Sequence, residues 1–249
     1  MHTDAQPPHK IFNMPQQFVV PLFQRRYRWS EDKQWDPLWR DIQRVAERLL
    51  DAGRDTVNSH FLGAVVLQQV EIPTGSLQEK TIIDGQQRLT TLQLLMDAVH
   101  GELLKVGAKQ AAARLGTLIE NGEQFRETTE ERFKVRPTHE DRPQFDSVMA
   151  AEHPVDYSVL KKALVVEGTK TAKDYRILDA HEFFAAKSRE WLMADGEDQA
   201  SRRGEILDKV LREFLEIVVI DLSVDENSQE IFETLNSRGV ELTAADLIK

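Results

Sequence analysis

TIIDGQQRLTTLQLLMDAV, residues 81–99, contains the features that set the architecture of this chain. Its first three residues are β-branched, which favours a buried strand. Asp84-Gly85 is typical of a tight turn. The apolar residues then recur with the spacing of one helix face, at Leu89, Leu92, Leu95, Met96 and Val99. The segment therefore predicts a strand, a tight turn and a helix in direct succession.

The junction between this strand and helix offers groups that suit a bound anion. The first turn of a helix presents unpaired backbone N–H groups and the positive end of the helix dipole, which favour phosphate. Gly85 lets a ligand approach the backbone, and Arg88 adds a planar set of donors. Asp84 suits a divalent cation or a water molecule, and Gln86 and Gln87 can bond to ligand and water. The junction is therefore a candidate phosphate site.

A simpler interpretation of the same residues is an ordinary helix start. In that case Asp84 caps the helix, Gly85 makes the turn and the two glutamines face solvent. Capping alone does not require two adjacent Gln residues followed by Arg. Both interpretations therefore stay open on spacing alone.

The N-terminal part contains a second polar cluster. Residues 1–16 hold three prolines and little periodicity, which predicts a loosely held arm. Residues 18–23 are a strand-like run interrupted by proline, which predicts an edge strand or a strand end. Residues 24–29, QRRYRW, combine three arginines with two aromatic residues, a composition that can hold phosphate and stack on a base. Tyr27 and Trp29 suit packing and ligand contact equally.

The remaining patterns predict an α+β fold, with a small mixed β-sheet core and a large α-helical insertion. A helix beginning after Ser30 carries Trp35 and Trp39 as predicted core residues. Residues 61–70 and 80–83 predict a hairpin that leads into the junction. The predicted parts are an α/β core at 1–105, a helical insertion or bundle at 106–215, and a final strand with helices at 216–249.

Several polar segments in the second half have simple explanations. His139-Glu140-Asp141 suggests a metal site, but a capped, solvated turn explains it more simply. His181 lacks a second His at the zinc-protease spacing and is predicted to be packed or hydrogen-bonded within its helix. Residues 195–203 predict a polar loop.

Composition limits the class of protein. With 249 residues, 41% of them hydrophobic and 30% charged, the chain can bury the core of a globular protein. No apolar run reaches the roughly 18 residues of a membrane span, and no signal peptide opens the chain, which is compatible with a cytoplasmic location. The absence of cysteine excludes disulfides and thiolate-based sites. No Walker A pattern or His-Asn-His nuclease signature is present, which excludes a P-loop NTPase.

The charge distribution argues against bulk binding to nucleic acid. A net charge of −10 disfavours nonspecific coating of DNA. Residues 10–48 hold eight Lys/Arg and five Asp/Glu, so this segment carries +3 and the remainder −13. A local basic surface suits selective DNA contact with a small footprint, although ordinary scatter of charge explains the same numbers.

Three ordered blocks carry a family resemblance. DGQQR at residues 84–88, followed by LTTL, resembles the signature of the N-terminal domain of GmrSD-type modification-dependent restriction enzymes and Ssp-type phosphorothioate-sensing nucleases. VPLFQRRYRW at residues 20–29 and the block at residues 231–249 resemble the same family in the expected order. Because the chain ends inside the third block, we expect a fragment of a longer protein whose C-terminal nuclease domain is absent.

The resemblance implies a ParB/sulfiredoxin-like core that hydrolyses GTP or ATP with Mg²⁺. It also implies three groups of site residues. The catalytic group is Asp84, Gln86, Gln87 and Arg88, with Asp84 as the Mg²⁺ ligand. The nucleotide-binding group is Gly85, Asn236 and Arg238. The group that contacts DNA or its modification is Gln24, Arg25, Tyr27 and Trp29.

The implied function is a nucleotide-hydrolysing, DNA-sensing module of an antiphage restriction system. Its implied partners are a nucleoside triphosphate, DNA that carries a modification such as phosphorothioate or modified cytosine, and the C-terminal nuclease domain. No membrane partner is expected, and both a monomer and an oligomer are compatible with the sequence. The alternative is a non-catalytic DNA-binding or scaffold module that docks the nuclease domain.

Overall fold

A mixed sheet of six strands forms the centre of the computed structural model, which describes residues 1–52, 57–166 and 175–227. The strand order across the sheet is β1-β6-β3-β4-β2-β5. The pairs β1/β6 and β3/β4 are antiparallel, and β3/β6, β2/β4 and β2/β5 are parallel. The strands are β1 His2–Gln6, β2 Gln16–Val19, β3 His60–Gln69, β4 Gln78–Asp84, β5 Val135–Arg136 and β6 Leu215–Leu222.

Helices cover the sheet and account for much of the described chain, so the α+β prediction is confirmed. A single π-helical turn at Glu31–Trp35 leads into the second helix. The α-helices are α1 Pro8–Phe12, α2 Asp36–Ala52, α3 Gln86–Lys105, α4 Lys109–Gly116, α5 Arg142–Met149, α6 Tyr157–Val166, α7 Arg176–Leu192 and α8 Glu197–Glu213.

The predicted strand–turn–helix is confirmed, and α3 is the central helix of the molecule. β3 and β4 form the expected antiparallel hairpin, with Val66 opposite Asp84. Both α4 and α7 pack against α3, which is buried along most of its length. A helix buried on several sides must satisfy its polar side chains within the protein. Accordingly, the Gln93 amide donates to the carbonyl oxygen of Leu118 at 3.0 Å.

The hydrophobic core lies on both faces of the sheet. The larger cluster extends from Ile11 to Val219 and includes Trp35 and Trp39, as predicted. The smaller cluster lies on the opposite face, because neighbouring residues of a strand point to opposite sides. Its members are Val66, Ile83, Val218, Ile220 and Leu222.

The prediction of a loosely held N-terminal arm is wrong. Residues 2–6 form β1, which pairs in antiparallel register with β6 from His2 opposite Asp221 to Gln6 opposite Ile217. Helix α1 follows directly and buries Phe12 completely. The pairing partner lies more than two hundred residues away in the chain, so local periodicity carries no sign of it.

One prediction for the second half also differs from the structure. The segment at residues 195–203 is mostly helix, since α8 begins at Glu197 after Gly196. Its buried Arg203 donates to the carbonyl oxygen of Trp191 at 2.7 Å and lies 4.0 Å from the centre of that indole ring. Strand β5 lies in the alternating run at residues 132–136, a pattern that is compatible with a short strand.

Lys134 is a buried cation without a carboxylate hydrogen-bond partner in the described chain. Its side chain is 2% exposed, and its ammonium group donates to the carbonyl oxygen of Met14 at 2.8 Å. Burial lowers the pKa of Lys134 from its ordinary value of 10.5 to about 8. The charged form is therefore less stable in the folded chain than in the unfolded chain.

We expect Lys134→Met to raise the free energy of unfolding at pH 7 by about 1–2 kcal/mol, because it removes a buried charge. Between pH 8 and 10.5 the folded chain has lost this proton while the unfolded chain still binds it. Wild-type stability therefore rises through this range, and the advantage of the variant shrinks.

Urea unfolding of both proteins at pH 7 and pH 10 measures this difference. Lys10→Met is the matched control, since Lys10 is exposed. A variant less stable than wild type at pH 7, or a gap that does not change with pH, contradicts the prediction.

Candidate functional site

The turn between β4 and α3 has an open helix terminus. Gly85 is the N-cap residue with φ +91°, so no side chain caps the helix. A Cβ atom at Gly85 would lie 2.6 Å from Val65 Cγ1, so this position requires glycine for space as well as for its conformation. The capping role considered for Asp84 is absent. The first-turn N–H groups are therefore left to solvent or to a ligand.

A cavity of about 530 Å³ borders this turn. It brings together two segments that the sequence analysis treated separately, residues 24–29, here called the arginine loop, and residues 84–88. Its volume falls in the range of roughly 300–1,000 Å³ that is typical of small-molecule sites. The lining residues are Gln24, Arg25, Trp29, Asp84, Gly85, Gln86, Gln87 and Arg88.

Gln86 holds the first half of the arginine loop on α3. Its amide nitrogen donates to the carbonyl oxygen of Arg25 at 2.8 Å and to Gln24 Oε1 at 3.1 Å. The Gln24 amide in turn donates to the carbonyl oxygen of Ile83 at 2.9 Å. Gln86 Oε1 has no hydrogen-bond partner among the described residues, so it can still bond to water or a ligand.

Gln87 holds the second half of the loop. Its Oε1 accepts the backbone N–H of Arg28 at 2.6 Å, and its Nε2 donates to the carbonyl oxygen of Arg26 at 3.2 Å. Both ends of this amide are thus bonded to loop backbone. The geometry gives Gln87 a positioning function, and the catalytic function implied for Gln86 and Gln87 stays a prediction.

Arg88 borders the cavity but is anchored to β3. Its Nη1 donates to the carbonyl oxygen of Ala64 at 2.5 Å, and a Cβ atom at Gly63 would lie 2.7 Å from Nη2. The β3/β6 register shifts between Phe61 and Ala64, so an irregularity in β3 accompanies this close approach at Gly63. Burial lowers the pKa of Arg88, and nearby Asp84 opposes that shift. Its Nε is buried and has no hydrogen bond to any described residue.

Asp84 and Arg25 are the exposed charged groups of the cavity. Neither side chain has a hydrogen bond or ion pair within the described ranges. Of the eight described residues that line the cavity, only Asp84 carries a carboxylate. An unpaired carboxylate beside guanidinium groups and helix N–H groups can hold a cation while the other groups hold an anion.

Tyr27 lies beneath the loop in the core. Its side chain is 3% exposed, its hydroxyl lies 2.6 Å from Thr91 Oγ1, and it accepts the Trp35 indole N–H at 2.9 Å. Burial raises the pKa of Tyr27. This placement favours the packing alternative for Tyr27, whereas Trp29 is only partly buried and borders the cavity.

Asp141 supports the loop from a distant part of the chain, and sequence reasoning missed this role. Its Oδ2 accepts the backbone N–H of Tyr27 and the Thr138 hydroxyl, both at 2.7 Å. Burial raises the pKa of Asp141, and these two hydrogen bonds oppose the shift. The carboxylate is therefore buried and engaged with the loop, and it does not cap α5, so the capped, solvated turn considered for His139-Glu140-Asp141 does not describe Asp141. No local pattern signals a contact across 114 residues.

Two residues of the implied nucleotide-binding group come from the third block. Asn236 and Arg238 lie outside the described residues, as does the rest of the third block at 231–249. The nucleotide-binding role implied for them stays a prediction.

Comparison with known proteins agrees with the arrangement of these blocks. A family model for the GmrSD restriction endonuclease N-terminal domain matches residues 8–249. No curated protein matches the chain. Among the described residues, no helix is long and apolar enough to cross a membrane. The match covers nearly the whole chain, which therefore belongs to the family of GmrSD restriction endonuclease N-terminal domains and is a module of a restriction system.

Proposed function

We propose that the cavity beside Gly85 binds and hydrolyses a nucleoside triphosphate, GTP or ATP. The observation that carries this proposal is the shared lining of one cavity by the arginine loop and by residues 84–88. In the proposed module, hydrolysis accompanies the sensing of modified DNA and controls the C-terminal nuclease domain of an antiphage restriction system.

The phosphates would lie against the start of α3. The N–H groups of the first turn face developing negative charge on the transferred phosphoryl group without having to reorganise. Arg88 Nη2, which has no hydrogen bond among the described residues, would add positive charge from the β3 side. Arg25 is exposed and would close over the phosphates from the loop side.

The residues present fit a Mg²⁺ ion at Asp84. Magnesium in phosphate sites is held through one or two carboxylates together with the phosphates of the substrate. An exposed carboxylate that borders the cavity meets this requirement. When bound, the ion would supply charge neutralisation of the phosphates.

The base and the attacking water would be positioned by the remaining lining residues. The indole of Trp29 offers a partly exposed aromatic face on which a nucleotide base can stack. Gln86 Oε1 can accept a hydrogen bond from the attacking water and so orient it. Gln87 would act through the loop, since its amide is fully bonded to backbone.

A second candidate function is DNA binding without catalysis. The observation in its favour is a pair of exposed apolar residues beside the arginine loop, Leu22 at 82% and Phe23 at 81% exposure. Exposed Arg25 and Arg28 follow within a few residues. Apolar side chains next to arginines can enter a DNA groove or stack between bases while the arginines contact phosphate.

We expect Asp84→Asn to lower kcat for GTP or ATP hydrolysis by about 100-fold or more, as removal of a charge-stabilising group typically does. The melting temperature should change little, because the carboxylate is exposed and has no hydrogen bond or ion pair among the described residues. Phosphate release and thermal unfolding measure the two effects. Glu71→Gln, which changes another exposed carboxylate, is the control. Full activity of Asp84→Asn would contradict a catalytic function of Asp84.

Gln87→Ala should raise KM for the nucleotide with a smaller effect on kcat, because it frees the arginine loop without touching substrate. It should also lower the free energy of unfolding by about 1–3 kcal/mol, since buried backbone groups lose their partners. Trypsin should cleave faster after Arg25, Arg26 or Arg28.

Gln199→Ala is the control for this experiment, since Gln199 is exposed. A fall in kcat alone, with unchanged KM and unchanged tryptic cleavage, would instead show that Gln87 acts on the reacting groups directly.

The DNA-binding alternative predicts that Leu22→Ser together with Phe23→Ser weakens retention of duplex DNA by about tenfold or more, through loss of stacking or groove contact. The wild-type protein would then release no phosphate from any nucleotide. Filter binding with phosphorothioate-modified and plain duplexes, run beside a phosphate-release assay, separates the two functions. Leu104→Ser, at another exposed leucine, is the control.

A further inference from the structure

Three histidines and an aspartate meet on the side of α3 that faces α7, away from the candidate cavity. Asp97 and His100 are three residues apart on α3, so their side chains share one face of the helix. His153 comes from the connection between α5 and α6, and His181 from the middle of α7. None of these residues has a part in the proposed nucleotide chemistry.

Three of these side chains offer ligand atoms at close range. One ligand atom each of Asp97, His100 and His153 lies within 4.8 Å of the other two. Asp97 is 4% exposed, and Nε2 of His153 lies 3.7 Å from Asp97 Oδ2. Two imidazole nitrogens and one carboxylate oxygen are a donor set that suits Zn²⁺, whereas Mg²⁺ and Ca²⁺ prefer oxygen alone.

His181 and Tyr157 orient the carboxylate of this group. Nε2 of His181 lies 2.9 Å from Asp97 Oδ2, and Nδ1 lies 2.8 Å from the Tyr157 hydroxyl. With the tyrosine hydroxyl donating to Nδ1, the hydrogen on Nε2 is donated to Asp97. Outer hydrogen bonds of this kind fix the position of a metal-binding side chain.

Hydrogen bonding around Asp97 does not explain why His100 lies in this cluster. Nδ1 of His100 is buried and has no hydrogen-bond partner among the residues that the structure describes. Buried polar atoms are almost always paired, so an unpaired imidazole nitrogen beside a carboxylate and a second histidine needs a further partner. A network built only to bury Asp97 accounts for His153 and His181 but leaves His100 unsatisfied.

Gly101 makes room for His153 at this position. A Cβ atom on Gly101 would collide with Nδ1 of the His153 ring. The histidine ring therefore lies directly against the backbone of α3, and its position in the cluster depends on the absence of a side chain there.

We propose that Asp97, His100 and His153 form a Zn²⁺ site, with His181 as a positioning residue for Asp97. Three protein ligands leave a fourth tetrahedral position for water or another ligand. The ion would link the α5–α6 connection to α3, roughly 17 Å along the helix axis from its N-terminus. This site does not depend on nucleotide binding.

The direct test is metal content. The protein is stripped of metal with EDTA, incubated with ZnCl₂ and desalted. The number of Zn²⁺ ions per chain is then measured by elemental mass spectrometry. Wild type and His139→Ala, at an exposed histidine, should retain about one Zn²⁺ per chain. His100→Leu and His153→Leu should retain at least tenfold less. Equal retention by all four proteins, or none by wild type, overturns the proposal.

Thermal unfolding with and without Zn²⁺ separates metal binding from a structural role of the cluster. Nδ1 of His100 makes no hydrogen bond among the described residues, so His100→Leu removes none. Without metal, this variant should therefore melt at or above the wild-type temperature. Zn²⁺ should raise the melting temperature of wild type and His139→Ala but not of His100→Leu. An equal rise in all three, or no rise in wild type, contradicts the assignment.

A further variant disrupts the site without deleting a ligand. Gly101→Ala should displace His153 and lower Zn²⁺ retention at least tenfold, although Asp97, His100 and His153 are all present. Replacement of Zn²⁺ by Co²⁺ should give the intense visible absorption of a four-coordinate ion in wild type and lose it in Gly101→Ala. Undiminished Zn²⁺ and Co²⁺ binding by this variant would exclude His153 as a ligand.

Discussion

Two consecutive side-chain amides, those of Gln86 and Gln87, hold an irregular loop on the first turn of α3. The loop backbone lies outside any strand or helix, so its polar groups need partners from elsewhere. An amide side chain supplies both a donor and an acceptor, and Gln87 uses both on the loop. The walls of the candidate cavity depend on these bonds, since they bring residues 24–29 to residues 84–88.

Close approach of backbone and side chain sets the opposite wall of the cavity. The Arg88 guanidinium lies over Gly63 of β3, and Gly85 turns the chain directly beside Val65. Arg88 is thereby held in place before any ligand arrives, which is the preorganisation that electrostatic stabilisation requires. No such contact among the described residues holds Asp84 or Arg25. These two charged side chains can therefore reorient when a ligand binds.

α3 links the features that matter most in this molecule. Its first turn carries the loop and borders the cavity, and its middle carries the Asp97 and His100 side chains. Burial explains the pairing of Glu102 on this helix, which is 3% exposed and accepts two hydrogen bonds from Arg189 at 2.8 and 3.0 Å. Membership of the GmrSD family then places both features within a module of a restriction system.

The sequence by itself determined the β4–turn–α3 unit, the hairpin before it and the burial of Trp35 and Trp39, because these depend on local periodicity and turn chemistry. Only the tertiary structure decided that residues 2–6 pair with β6, that Asp141 bonds to the arginine loop, and that His153 approaches Asp97. These contacts join residues far apart in the chain. They depend on the spatial pairing of donors and acceptors during packing, which leaves no periodic signal in the sequence.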